Sequence, residues 1–162
     1  IRKRMTECKL ELHPDKTKII YCRRNYKEKL PNKPEHESFD FLGFTFYLSH
    51  NQRGTVVPKL KSSGKRMRKK LREISDWLKS NRHKSRMADL WRQLTIKMQG
   101  YANYYGVSHN SKTLSRFIFR VVEIFFKWIN RRSQKRSINW EKFKLFMQRY
   151  PMAKATIRHC LF

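Results

Sequence analysis

Phe39-Asp40-Phe41-Leu42-Gly43-Phe44 follows one period and Gly64-Lys65-Arg66-Met67-Arg68-Lys69-Lys70-Leu71 another, and the switch between them decides the fold. The first is an aromatic strand broken by a single glycine, the pattern expected where another backbone comes close. It continues to Leu48, passes a Ser49-to-Gly54 turn and returns as Thr55-Val56-Val57, with Pro58 at the end or edge of the second strand. In the second, Met67, Leu71, Ile74 and Leu78 recur at helical spacing with Trp77 beside them, which predicts a helix over 64–80.

Upstream, Leu10-Glu11-Leu12-His13-Pro14-Asp15-Lys16-Thr17-Lys18-Ile19 reads as a helix tail, a Pro-Asp turn and a strand entry, the strand covering Thr17 to Cys22. A polar connection with Pro31 and Pro34 leads to Phe39. Downstream, Met87, Leu90, Trp91, Leu94, Met98, Tyr101, Ala102 and Tyr105 give a helix announced by Ser85 and closed by Gly106. A third helix, 112–130, follows from Leu114, Phe117, Ile118, Val121, Val122, Phe125 and Ile129, with Ser111 as cap. A shorter one, opened by Asn139 and stopped by Pro151, carries Trp140, Phe143, Met147 and Tyr150. The expected class is α+β, mostly α, with a small antiparallel β segment followed by a bundle of antiparallel helices.

The 39 Lys and Arg against 12 Asp and Glu leave a formal net charge of +27. Self-repulsion of that size disfavours a compact state and calls for a polyanionic partner, with nucleic acid the leading candidate. An anionic membrane surface or an acidic protein is the competing class, the chain then being a basic helical adaptor. The most apolar run, Phe117 to Ile129, is interrupted by Arg120, Glu123 and Lys127 and reads as a buried helix, so no membrane span is expected. Ile1-Arg2-Lys3-Arg4 lacks the apolar region of a secretory signal, and the missing initial Met points to a piece of a longer chain. Cys8, Cys22 and Cys160 are widely spaced, which predicts free thiols and a reducing, cytoplasmic setting.

The cations cluster. Lys59, Lys61, Lys65, Arg66, Arg68, Lys69, Lys70 and Arg72 come without a carboxylate among them. On a helix Arg66, Lys69 and Lys70 share one side and Met67, Leu71 and Ile74 another. Such a face is either ordinary solvated surface or a phosphate-tracking one, and the absence of Glu favours the second. The second cluster runs from Lys127-Trp128 through Arg131, Arg132, Lys135 and Arg136. There Arg interleaved with Trp suits single-stranded or bulged RNA, although part of the charge also complements a helix C-terminus. Gly100-Tyr101-Ala102-Asn103-Tyr104-Tyr105-Gly106 is a dense aromatic patch, read first as bundle packing and second as a stacking platform.

Signals for chemistry are weak. The carboxylates are scattered singly, no adjacent Asp pair offers a two-metal site, and the six histidines follow no H-E-x-x-H spacing. No metal site, cofactor or enzymatic activity is expected of this chain by itself.

In this order, the Leu-Glu-Leu and Lys-Thr-Lys block, Phe-Asp-Phe-Leu-Gly-Phe, Gly-Tyr-Ala-Asn-Tyr-Tyr-Gly and Arg-Arg-x-x-x-Arg-x-x-x-Trp resemble the C-terminal part of bacterial group II intron reverse transcriptase/maturases. The resemblance spans nearly the whole chain. It implies a palm remnant over 1–62, a three-helix thumb over 63–130 and a segment of the maturase domain X over 131–162. It makes Lys16 an accessory to catalysis and Phe41, Leu42, Gly43 and Phe44 a primer-grip-like hairpin. The implied partners are intron RNA, an RNA/DNA template-primer and the upstream fingers and palm of the same polypeptide. The Tyr-Ala-Asp-Asp motif that holds magnesium in such polymerases is absent here, and in full-length members it lies upstream of the position matching Ile1. The tail Tyr150-Pro151-Met152-Ala153-Lys154 departs from the proline-rich ending of relatives.

Overall fold

A computed structural model describes residues 2–11, 13, 38–51, 53–132 and 138–160. The elements are α1 (Arg2–Glu7), β1 (Phe39–Phe41), β2 (Phe44–His50), β3 (Val56–Ser62), α2 (Gly64–Asn81), α3 (Met87–Tyr105), α4 (Ser111–Ile129) and α5 (Trp140–Arg149). The class is α+β and mostly α, with a small three-stranded antiparallel sheet preceding the helices. Two compact units divide the chain: Ile1–Glu37 with Leu48–Val57, and Ser38–Tyr47 with Pro58–Phe162.

In the first unit, α1 stops before Leu10, where the sequence pattern predicted a helix tail. Lys9 takes a left-handed conformation (φ 56), its N–H donates to Thr6 O, and the Leu10 N–H donates back to Met5 O. This is the Schellman closure, usually built on glycine and here on lysine. The Pro14-Asp15 turn, the strand over 17–22, Cys22 and Lys16 lie outside the described residues. Between β2 and β3 the Asn51 carboxamide oxygen accepts from the backbone N–H of Arg53 and Thr55, closing the loop as an Asx turn.

The expected single strand from Phe39 to Leu48 is two strands. Phe39, Asp40 and Phe41 pair with Phe46, Thr45 and Phe44, so Leu42-Gly43 is a two-residue hairpin loop. Both loop residues have positive φ (48 and 85), the type I′ geometry that matches strand twist. The close approach at Gly43 is made by a side chain, since a Cβ there would lie 2.7 Å from the Tyr105 hydroxyl. β3 runs on through Pro58 to Ser62. In the order β1-β2-β3 it is an edge strand, which tolerates a residue lacking an N–H.

The helices match the periodic reading to within a residue or two. Asn139 caps α5 by accepting from Lys142 N, whereas α4 has Asn110 at its N-cap and α3 Arg86. α4 packs against both α2 and α3. One core joins Ile74 and Leu78 of α2, Leu90, Trp91, Leu94 and Met98 of α3, and Phe117, Val121, Val122, Phe125 and Ile129 of α4. It also takes in Phe143 of α5 and Ala153 of the following segment, so packing is continuous across residue 130. Trp91 anchors that continuity: its indole N–H donates to Tyr150 O at 2.7 Å, and its ring lies edge-on to Phe125, Phe143 and Phe146.

The extended segment after α5 returns to the α3–α4 corner. Arg158 and His159 donate backbone N–H groups to Gly106 O, and Ser108 N donates to His159 O. Gly106 permits this because a Cβ there would come within 2.6 Å of both Thr156 O and Ala102 O.

Candidate nucleic-acid interface

Three stretches far apart in sequence meet at the β1–β2 turn. Ser63, at the N-cap of α2, donates its backbone N–H to Gly43 O at 2.8 Å. Tyr104, near the end of α3, donates its hydroxyl to Leu42 O at 2.7 Å. Asp40 of β1 accepts from the Thr45 hydroxyl and, at 2.9 Å, from the Ser63 hydroxyl. The Phe41-Leu42-Gly43-Phe44 block is thus fastened to the start of one helix and the end of another.

Of the tyrosines in the Gly100–Gly106 block, two pack into the bundle and one is exposed. Tyr101 stacks on Phe117 (4.0 Å between centroids) and Tyr105 packs on Tyr101, both inside the bundle. Burial raises the pKa of both hydroxyls, with neighbouring tyrosines adding to it. Tyr104 is 52 % exposed and stacks against Phe44. With Phe41 at 58 % and Leu42 at 67 % exposure it forms an apolar rim beside Lys65 and Arg66, which are also exposed.

Behind this rim a buried carboxamide ties β3 to the α3–α4 corner. Asn110, fully buried, accepts from Ser62 N at 2.8 Å and donates to Ser62 Oγ and Tyr105 O at 2.9 and 2.8 Å. Sequence reading missed this residue, because nothing local marks an Asn whose partner lies in another element.

On α2, Lys65, Arg66, Arg68, Lys69, Lys70 and Arg72 are all exposed, while Met67 and Leu71 are half-buried and Ile74 and Leu78 are buried. In the strand before it Lys61 is exposed, with its ammonium 4.9 Å from the centre of the Tyr47 ring, and Lys59 is half-buried. Lys70 is partly compensated by Glu73 (3.1 Å), a half-exposed pair that contributes little in water. Lys97 of α3 joins this face unannounced by the sequence. Its ammonium stands 3.8 Å from the centre of the Trp77 ring, and its pKa is lowered by desolvation and by Lys70.

The second cluster gathers around Trp128, and the structure adds residues to it. Lys127 and Arg131 are exposed and Arg132 is half-buried, donating to the carbonyl of Ser85 in the turn between α2 and α3. That turn carries Arg82, His83, Lys84 and Arg86, and the Arg82 guanidinium lies 5.0 Å from the Trp128 ring centre. Lys135 and Arg136 lie outside the described residues.

Asp40 is a carboxylate of the hairpin itself. Hydrogen bonds from Thr45 and Ser63 hold its pKa below the usual range, and Lys65 and Arg66 lower it further. Among the described residues no three His, Cys, Asp or Glu side chains gather. With the oxygens of Asp40 already engaged, these residues do not fit the magnesium site of a polymerase. Also among the described residues, no helix is long and apolar enough to cross a membrane. Comparison of the chain with family models, with curated proteins and with solved structures returned no match.

Proposed function

We propose that this chain is an RNA-binding portion of a group II intron reverse transcriptase/maturase, gripping intron RNA and a template-primer duplex and assisting splicing. RNA-directed DNA polymerase activity would belong to a longer parent, whose magnesium would be held by residues upstream, and this chain would carry no chemistry of its own. The observation that supports the reading best is the meeting at the β1–β2 turn. The Phe-Leu-Gly-Phe and Gly-Tyr-Ala-Asn-Tyr-Tyr-Gly blocks, on which the resemblance rests, are joined by the Tyr104–Leu42 hydrogen bond at the foot of a basic helix. Phosphates would be met by the α2 cations, while exposed Phe41, Leu42 and Tyr104 offer apolar contact to sugar or base.

Binding of the whole chain to its intron RNA and to an unrelated RNA, followed across a salt series, tests this. Affinity should fall steeply with salt for both. Reversing Arg66, Lys69 and Lys70 to Glu should weaken both complexes and reduce the salt slope by about two to three. Affinity indifferent to salt, or to that triple change, would contradict the assignment. Primer extension with magnesium and all four nucleotides should yield no product from this chain.

A further inference from the structure

Trp128 sits one residue from the C-terminus of α4, half-buried, with its indole N–H donated to Ser75 Oγ of α2 at 2.9 Å. Around its ring stand the guanidinium carbon of Arg82 at 5.0 Å, that of Arg131 at 5.4 Å and the ammonium of Lys127 at 5.7 Å. These cations come from two segments, the turn after α2 and the end of α4, and the Arg132–Ser85 hydrogen bond holds the segments together. Among the described residues none of Arg82, Lys127 and Arg131 pairs with a carboxylate; the ion pairs there are Lys70–Glu73 and Arg120–Glu123.

Each cation is drawn to the indole face, yet gathering several around one ring opposes them to each other. The α4 C-terminal dipole relieves only part of that repulsion, and only for groups within the last turn. A multivalent anion would relieve the rest. A base, by contrast, would have to displace guanidinium groups already resting on the ring, and the indole N–H is engaged by Ser75.

We propose that Trp128 is a positioning residue that presents Arg82, Lys127 and Arg131 as a clamp for backbone phosphates of single-stranded RNA, and not a stacking surface for a base. The clamp rests on the RNA-binding reading above and sharpens it: contact here is indifferent to sequence. Arg82 and Arg131, fork-shaped and held by the ring, would each engage phosphate oxygens through paired N–H groups.

The test uses the whole chain with short homopolymers of A, U and C, titrated from about 50 to about 200 mM salt. Arg82→Gln and Arg131→Gln should each weaken all three complexes alike. Each should lower the salt slope by about 0.7, so that the advantage of wild type shrinks about threefold over that range. Trp128→Leu should reproduce the double arginine variant in affinity and slope, and Trp128→Phe, which keeps a ring, should restore most of both. Thermal melts accompany every variant, and if Trp128→Leu fails to fold the arginine slopes still decide. The clamp is overturned if Trp128→Leu erases a preference among homopolymers without changing the slope, or if the arginine variants bind like wild type. Loss of binding by the Arg66/Lys69/Lys70 reversal together with unaltered Arg82 and Arg131 variants would remove the clamp and leave the general reading intact. Absence of RNA binding in wild type would remove both. Arginine variants that lose binding to phosphatidylserine vesicles but keep RNA would assign the cluster to a membrane surface and overturn the RNA clamp.

Discussion

Replacing Asn110 by Ala should cost far more than the loss of one surface amide. The side chain is fully buried and makes its three hydrogen bonds to Ser62 N, Ser62 Oγ and Tyr105 O. Truncation deletes these and leaves the Ser62 N–H without its partner in a buried site, whereas the Tyr105 carbonyl keeps the Val107 N–H at 2.9 Å. A buried donor left without a partner costs about 1–3 kcal/mol and each of the two other hydrogen bonds lost about 0.5–1.5, which together predict a loss of about 2–6 kcal/mol. Asn110→Asp retains the oxygen facing Ser62 N but sets a second oxygen against the Tyr105 carbonyl, and it too should destabilise, increasingly as the carboxyl ionises. Asn103 supplies the control. It is exposed, accepts from Gln99 at 2.8 Å, and its truncation should change stability by less than about 0.5 kcal/mol. Urea unfolding followed by tryptophan fluorescence gives the numbers. A loss below about 1 kcal/mol for Asn110→Ala would refute the claim that this carboxamide locks β3 to the α3–α4 corner.

Phe143→Ala empties a fully buried site ringed by Trp91, Phe125, Phe126 and Phe146, and should cost about 3–5 kcal/mol in a single unfolding transition; a second transition that leaves α2–α4 untouched would show that α5 folds apart from them. Leu42 holds a left-handed backbone at 67 % exposure, a conformation costing an ordinary residue about 1–2 kcal/mol, so Leu42→Asn should raise the melting temperature by several degrees. If the leucine serves RNA contact, that same variant binds more weakly while being more stable, and a lower melting temperature would contradict the strain. The Asp40 carboxyl has a folded pKa below its ordinary value of 3.8, so its contribution to stability is complete above that value and fades as pH falls through the folded one. Urea midpoints for wild type and Asp40→Asn should therefore differ at neutral pH and converge as pH falls below 3.8 and through the lowered folded value; a gap that is constant across the acid range would mean the carboxylate charge is irrelevant.

The helices were legible because each carries one apolar stripe that the bundle buries, from Met67 through Leu78 and from Leu114 through Ile129. The β1–β2 hairpin was not. Its turn is Leu-Gly, lacking the Asn or Asp that usually announces positive φ, and the flanking phenylalanines merge into one aromatic run. Of the two readings of Pro58, strand end or strand edge, the structure has the edge: there the missing N–H costs nothing, so the strand passes through it. Pairings such as Tyr104 with Leu42 leave no mark on the local pattern, since each side is an ordinary surface or loop residue until the chain folds. Arg82 could have been found. Arg82-His83-Lys84-Ser85-Arg86 is a basic connection without a carboxylate between two strongly periodic helices, the same signal that marked residues 127–136.

The placement of the acids gives the charge its meaning. Asp89 lies in the first turn of α3 and Glu141 in that of α5, where they complement the helix dipole. Glu73 and Glu123 pair along their own helices with Lys70 and Arg120. The first turn of α2 has no acid and instead bears Lys65 and Arg66, against the dipole, with Asp40 supplied from β1 as partial relief. These five carboxylates stand where local structure uses them, whereas Lys65, Arg66, Arg68, Lys69 and Arg72 of α2 form no ion pair among the described residues. The same charges then act with opposite sign on the two states. Under the proposed function, added salt should screen repulsion within the free chain and stabilise it, and should compete with phosphate contacts and weaken an RNA complex. A surface charged only for solubility would show the first effect without the second.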